Sequence, residues 1–280
     1  MTVINTNTGS LYAQQAMTTN ARGLATVMQQ LSTGKRINNA VDDVAGLAIS
    51  TRLTSQIRGL NQAVRNTNDG ISLIQTAEGA TEQVTNMLQR MRELAIQASN
   101  DTNNGNDRSY LDLEFQALNT QITKIAEFTQ WNAKDILVGT DAGQGSGVFT
   151  FQVGANAGQT LSVTLPNLQT NTGGALSNIA ASVITSATQA NSALGAISTA
   201  LDTVNSARAQ MGAVISRLQF TGDNLANVSA KAQESRSRIE DTDYSQATTE
   251  LAKRNIIQQA AQAMLAQANQ APQLVLQLLK

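Results

Sequence analysis

Two long stretches of the chain repeat apolar residues at alternating steps of three and four, and that spacing limits the fold more than any other feature. The first runs through Ile74, Ala77, Thr81, Val84, Leu88, Met91, Ala95 and Ala98, with Thr81 the one polar member. Leu53, Ile57, Leu60, Val64, Thr67 and Ile71 carry a similar face upstream toward Asp42 and Asp43. The second runs through Leu194, Ile197, Leu201, Val204, Arg208, Met211, Ile215 and Leu218 and on to Leu225. Such spacing places the residues on one side of an α-helix, as the seam of a coiled coil. Proline occurs only at Pro166 and Pro272, so nothing interrupts a helix before Pro166. An unbroken helix from Val44 to Ser99 would be about 80 Å long at about 1.5 Å per residue. A seam cannot bury itself, so the two stretches are expected to pack together as an elongated antiparallel bundle.

Asp42 and Asp43 precede the first stretch, where carboxylates favour the positive end of a helix. Capping, with ion pairing to Lys35 or Arg36, is the reading for this pair; a metal site lacks further ligands nearby. The polar run Asn100 to Asp107 has turn chemistry and ends the first helix. A shorter helix follows, with Leu111, Phe115, Leu118, Ile122 and Ile125 on one face, packing antiparallel on the first. Between the two long stretches the period changes to two. Phe149, Phe151 and Val153 alternate, as do Leu161, Val163 and Leu165, with Gly154 to Gln159 between them. That is a hairpin signature.

The ends differ from the middle. Residues 11–31 carry Leu11, Met17, Leu24, Met28 and Leu31, and Tyr244 to Leu279 carries Leu251, Ile256, Ile257, Ala260, Met264 and Leu265 in an Ala/Gln-rich background. These seams are thin, and isolated helices of this kind are marginal in water. The ends are therefore expected to order on burial against other copies of the chain. The organisation expected is a discontinuous terminal domain of residues 1–40 and 241–280, a long-helix bundle of 41–140 and 175–240, and a hairpin/Gly-rich insert of 141–174. The fold class is mainly α.

Cysteine and histidine are both absent. Disulfides are impossible, sites for zinc, haem or iron–sulfur clusters lack their usual ligands, and triads that use histidine are excluded. The expectation is no cofactor, no metal and no enzymatic activity. A net charge of -1, without a basic stripe, argues against nucleic acid. No run of apolar residues is long enough to span a bilayer, and Met1 to Gln15 has neither the basic nor the apolar region of a cleaved signal. Gly143, Gly145 and Gly147 lack the strand–loop–helix context and Lys-Ser/Thr ending of a phosphate loop. The formal sequon Asn227-Val228-Ser229 falls on an expected helix and is discounted. Gly46, Gly59, Gly70 and Gly79 sit inside an expected helix, where each costs about 1 kcal/mol against alanine. Either a close approach or simple tolerance would account for them.

Several motifs carry a family resemblance. Val3-Ile4-Asn5-Thr6-Asn7, Leu31-Ser32-Thr33-Gly34-Lys35-Arg36-Ile37-Asn38, Asp42 to Ile49, Gln75 to Ala80 and Leu88 to Leu94 resemble the N-terminal part of bacterial flagellins. Glu234 to Asp243, Leu265 to Pro272 and the hairpin segment Phe151 to Gln159 resemble other parts of the same family. The resemblance implies a motility filament in which the terminal segments line the inner wall and the bundle the outer wall. It also implies export as an unfolded chain through the flagellar type III apparatus, without a cleaved signal, to an extracellular filament. Its implied partners are other copies of itself, the flagellar cap, junction proteins and an export chaperone. Trp131-Asn132-Ala133 departs from the usual Phe-Asn-Gly, and the short connection from the hairpin to Ser186 leaves no large outer domain. Gln89, Arg90, Leu94 and Glu114 match positions through which flagellins contact the animal receptor Toll-like receptor 5, and on a helix 90 and 94 share a face. Alternatives are a hook–filament junction protein or a surface adhesin-like homologue; the latter lacks aromatic platforms, with one Trp and three Tyr.

Overall fold

The structure, a computed structural model, describes residues 6–139, 147–170 and 174–278, with side chains described as far as residue 270. Val3 to Asn5, Gly143, Gly145, Asn171 to Gly173 and Leu279 lie outside the described residues. The helices are α1 (Thr8–Thr33), α2 (Val44–Ser99), α3 (Gly105–Phe128), α4 (Ala187–Glu240) and α5 (Tyr244–Leu278). The strands are β1 (Gln130–Trp131), β2 (Lys134–Asp135), β3 (Val148–Gln152) and β4 (Thr160–Thr164), in two antiparallel two-stranded sheets. The chain divides into two compact units, one of residues 1–57 with 230–280 and the other of residues 58–229; α2 and α4 contribute to both.

In the second unit the first seam is as expected. Ile74, Ala77, Thr81, Val84, Leu88, Met91, Ala95 and Ala98 are all fully buried. Thr81 is tolerated there because its hydroxyl donates to the Glu78 carbonyl at 2.7 Å, which satisfies the buried polar group. The second seam is as expected at Ile197, Val204, Met211, Leu218 and Leu225 and differs at the alternate positions. Ala193, Ile197, Ala200, Val204, Ala207, Met211 and Leu218 are the buried residues, while Leu194, Leu201, Ile215 and Arg208 lie half-buried at its flank. Alternate positions are thus alanines, which leave room for the neighbouring large side chains. At Gly222 an added Cβ would stand 3.5 Å from Thr67 Cγ2, an ordinary van der Waals contact.

α3 starts where the turn chemistry ends. Asn104 Oδ1 accepts from the backbone N–H of Asn106 and Asp107 at 2.8 and 2.9 Å, and Asp107 Oδ2 accepts from Asn104 N–H at 3.1 Å. This reciprocal arrangement satisfies donors that a helix start otherwise leaves open. At the end of α2, Arg108 Nε donates to the Ala98 carbonyl at 2.9 Å. Phe115 and Ile122 are buried, with Leu111, Leu118 and Ile125 packed partly against the core.

After α3 a tight turn joins β1 to β2. Its two central residues, Asn132 and Ala133, have φ of 49° and 61°. Two-residue hairpins favour positive φ at both positions because the resulting twist matches the strands, and glycine rather than alanine is at ease there. The second hairpin has the expected register, Phe149 opposite Val163 and Phe151 opposite Leu161. It lies along α2, and this explains two of the helix glycines. A Cβ at Gly70 would meet the Phe151 ring at 3.2 Å, and one at Gly59 would meet Ala155 Cβ at 3.0 Å. Gly79 faces open space, so tolerance accounts for it.

The connection from β4 to α4 has a role that periodicity did not reveal. Leu168, Leu176, Ile179 and Ile184 are fully buried in the same core. Polar groups of α3 hold this irregular segment. Asp112 Oδ1 accepts from Ile184 N–H at 2.8 Å, and Gln116 Nε2 donates to the Ser182 carbonyl at 2.9 Å.

In the first unit α1 and α5 run antiparallel. Asn7 Nδ2 donates to the Ala268 carbonyl at 2.7 Å, Asn20 Nδ2 to the Arg254 carbonyl at 2.9 Å and the Tyr244 hydroxyl to the Leu31 carbonyl at 3.0 Å. Gly23 leaves the space that the Arg254 guanidinium fills, since a Cβ there would fall 1.8 Å from Nη1. Gly34, with φ of 71°, ends α1, and Thr242 N–H donates to its carbonyl at 3.0 Å. Asp43 caps α2 through Oδ1, which accepts from Gly46 N–H at 2.8 Å. The expected ion pairs of Asp42 and Asp43 are absent. Asp42 Oδ2 instead accepts from the N–H groups of Asn38 and Asn39, Lys35 pairs with Glu240, and Arg36 Nη2 donates to the Ile239 carbonyl at 2.8 Å. Backbone donors of the loop itself thus satisfy Asp42, and Lys35 and Arg36 are engaged elsewhere.

Candidate functional site

Two surfaces are candidates, one on each unit. On the first unit, the paired helices α1 and α5 bury few of their described apolar side chains: Val27 and Ala247 are buried, with the polar Asn20 between them and the chain start. Leu11, Tyr12, Met28, Ile256, Ile257 and Met264 are exposed. A helix pair that keeps large aliphatic side chains in water on its outer faces has apolar surface left for a partner.

On the second unit, Arg90 joins α2 to α3. Its Nε donates to Glu114 Oε1 at 2.9 Å and its Nη1 to Glu93 Oε2 at 2.9 Å. These hydrogen bonds, that of Glu114 first and that of Glu93 next, hold the guanidinium above its ordinary pKa. All three side chains are about half exposed or more, so the pair is screened and contributes little to stability. Gln89 is exposed beside it. Leu94 is not on this surface; it is 1% exposed and belongs to the core. Four residues turn an α-helix through about 400°, and that extra rotation of about 40° carries position 94 into the buried stripe with Met91, Ala95 and Ala98. Glu114, by contrast, is brought to Arg90 from another helix.

Among the described residues no cluster of acidic side chains is placed to hold a metal ion, and no helix is long and apolar enough to cross a membrane. Fold and surfaces together define a structural subunit, a helical bundle with a terminal helix pair whose outer faces are left apolar. The family model for the bacterial flagellin N-terminal helical region matches residues 4–142, and that for the bacterial flagellin C-terminal helical region matches residues 194–279. The chain is 46% identical over 279 residues to a flagellin of Halalkalibacterium halodurans, covering 99% of this chain and 100% of that one. It is 40% identical over 304 residues to a flagellin of Bacillus subtilis, covering 99% of each. The crystal structure of Bacillus cereus flagellin is similar at 30% identity with a TM-score of 0.50, covering 57% of this chain and 88% of that one. The chain belongs to the bacterial flagellins. It is a structural subunit that polymerises with its own kind into the extracellular flagellar filament, in the short form without a large outer domain.

Proposed function

We propose that residues 1–40 and 241–280 form the inner wall of the filament and the bundle of 41–140 and 175–240 its outer wall, with 141–174 as a surface insert. The chain crosses the cell envelope unfolded through the flagellar type III apparatus, without a cleaved signal, escorted by an export chaperone. It meets junction proteins and the cap at the two ends of the growing polymer. Its work is mechanical, not enzymatic. The observation that carries this reading is the set of exposed aliphatic side chains on α1 and α5, Leu11, Met28, Ile256 and Met264. Their burial between copies supplies the driving force that a lone helix pair lacks. Removal of residues 1–40 or 241–280 is expected to leave a helical monomer that forms no filament. Salt- or seed-induced polymerisation followed by electron microscopy reads the result; filaments of either truncated chain would sink the assignment of the ends.

A second reading concerns the free monomer. We infer that Gln89, Arg90 and Glu114 present a surface to Toll-like receptor 5, with Leu94 acting from below by fixing the helix. What supports it is the Arg90–Glu114 bridge between two helices, whose side chains are both about half exposed and so within reach of a partner. Arg90→Ala and Glu114→Ala are expected to lower the response in a receptor reporter assay. An unchanged response from both variants would remove this reading.

A further inference from the structure

The connection between α1 and α2 carries the most exposed aliphatic side chain in the described part of the molecule. Val41 is 96% exposed. The loop around it is nevertheless tightly specified. Asp42 Oδ2 accepts from Asn38 N–H at 3.0 Å and Asn39 N–H at 2.9 Å, and Asp42 N–H donates to the Asn39 carbonyl at 3.1 Å. Asn38 Nδ2 donates to the Lys35 carbonyl at 2.7 Å, and buried Ile37 packs over Gly46, where a Cβ would come within 2.6 Å of Ile37 Cδ1. The loop therefore holds an aliphatic knob in water on a backbone whose conformation is already fixed. Nothing among the described residues accounts for that. A preorganised apolar projection loses little conformational entropy when it binds.

The same unit also carries a hole. Between α1 and α5 lies a surface cavity of about 280 Å³, with Val27 and Ala247 as its apolar members and Gln30, Arg36, Thr242, Asp243, Gln246 and Glu250 around them. Thr242 Oγ1 is buried there without a partner in the chain. The cavity is formed mainly by the two helices proposed above to assemble. A knob and a hole at different places on one subunit make a heterologous contact. Repeated from copy to copy, it generates a helical polymer when it does not close.

We propose that Val41 of one copy seats in the Val27/Ala247 cavity of a second copy as a filament contact. The inference rests on the terminal helices being the assembly surface, and the tests separate the two. Because the chain has no cysteine, Val41→Cys combined with Gln246→Cys places only two thiols in each subunit. Mild oxidation of filaments is expected to give a ladder of covalent oligomers, and oxidation of dilute monomer is expected to give none. Independently, Val41→Asp is expected to leave the helicity of the monomer unchanged, because the side chain touches nothing in it. It should raise the critical concentration for polymerisation about tenfold, the scale of losing one buried aliphatic side chain. Filaments of the double-cysteine chain that yield no ladder would overturn the proposal, and so would a Val41→Asp chain that polymerises at the unaltered critical concentration. Failure of the unsubstituted chain to polymerise would instead overturn the assembly reading on which this contact depends.

Discussion

The two units are built from the same kind of helix but bury it very differently. In residues 58–229, large side chains such as Ile74, Leu88, Phe115, Leu137, Leu168 and Ile197 have no exposure at all. In residues 1–57 with 230–280, few of the described apolar side chains are buried, and Ile256 and Met264 stand 66% exposed. Two helices can cover one stripe of each other, whereas the second unit covers its seams with α2, α3, α4, a hairpin and the segments 166–170 and 174–186. The second unit is therefore expected to fold by itself, while the first leaves its stabilisation to contacts between copies. For a polymer subunit that division has a use: the part that must be stable alone is separate from the part whose stability should depend on assembly.

The sharpest way to break this comparison is one large-to-small substitution in each unit. Phe115→Ala is expected to cost about 3–5 kcal/mol in monomer unfolding by urea, since it empties a fully enclosed site. Ile256→Ala is expected to change monomer stability by no more than about 0.5 kcal/mol, because its side chain is already in water. Its effect should appear in the critical concentration for polymerisation. Similar monomer losses from the two variants would mean that the units do not differ as described.

How legible the two units were follows from the same physics. The first seam could be read residue by residue because almost every member is apolar and the 3.5-residue period is unbroken over many turns. The second was legible at Ile197, Val204, Met211 and Leu218 but one position off at the members between them, since Leu194 and Leu201 outweigh the neighbouring Ala193 and Ala200 in any tally of hydrophobicity. Only the packing shows that the alanines are inside. Leu168, Leu176, Ile179 and Ile184 escaped notice because an irregular segment has no period; their one signal was an aliphatic side chain every few residues in the short connection from the hairpin to Ser186. At the candidate site, chain spacing paired Arg90 with Leu94. The structure pairs Arg90 with Glu114, a contact between helices that no local spacing encodes.

A smaller effect sharpens the account of the self-sufficient unit. Ala133 holds φ of 61° in the β1–β2 turn, a conformation that costs a residue with a Cβ about 1–2 kcal/mol. Ala133→Gly removes that cost but adds chain entropy to the unfolded state. A net gain of about 0.5–1 kcal/mol is expected in urea unfolding. A loss would show that the turn is not under strain and that the departure from the usual glycine is neutral or favourable.

The least effect belongs to the ion pairs on the terminal unit. Glu234 in α4 accepts from Lys231 Nζ at 3.0 Å and from Arg238 Nη2 at 2.6 Å. The Lys231 hydrogen bond first, and the Arg238 charge next, hold the Glu234 carboxyl below its ordinary value. A carboxyl with a folded pKa below its unfolded one stabilises the fold above the unfolded value, and that contribution is lost as pH falls through the folded one. The difference in Tm between the parent chain and Glu234→Gln should therefore be present at neutral pH and vanish on acidification through the carboxylate range. All three side chains are well exposed, so solvent screening keeps this difference below that of Ala133→Gly. A difference that grew on acidification would reverse the sign. A difference as large as that of Ala133→Gly would mean that surface charge, and not contact between copies, carries much of the terminal unit's stability.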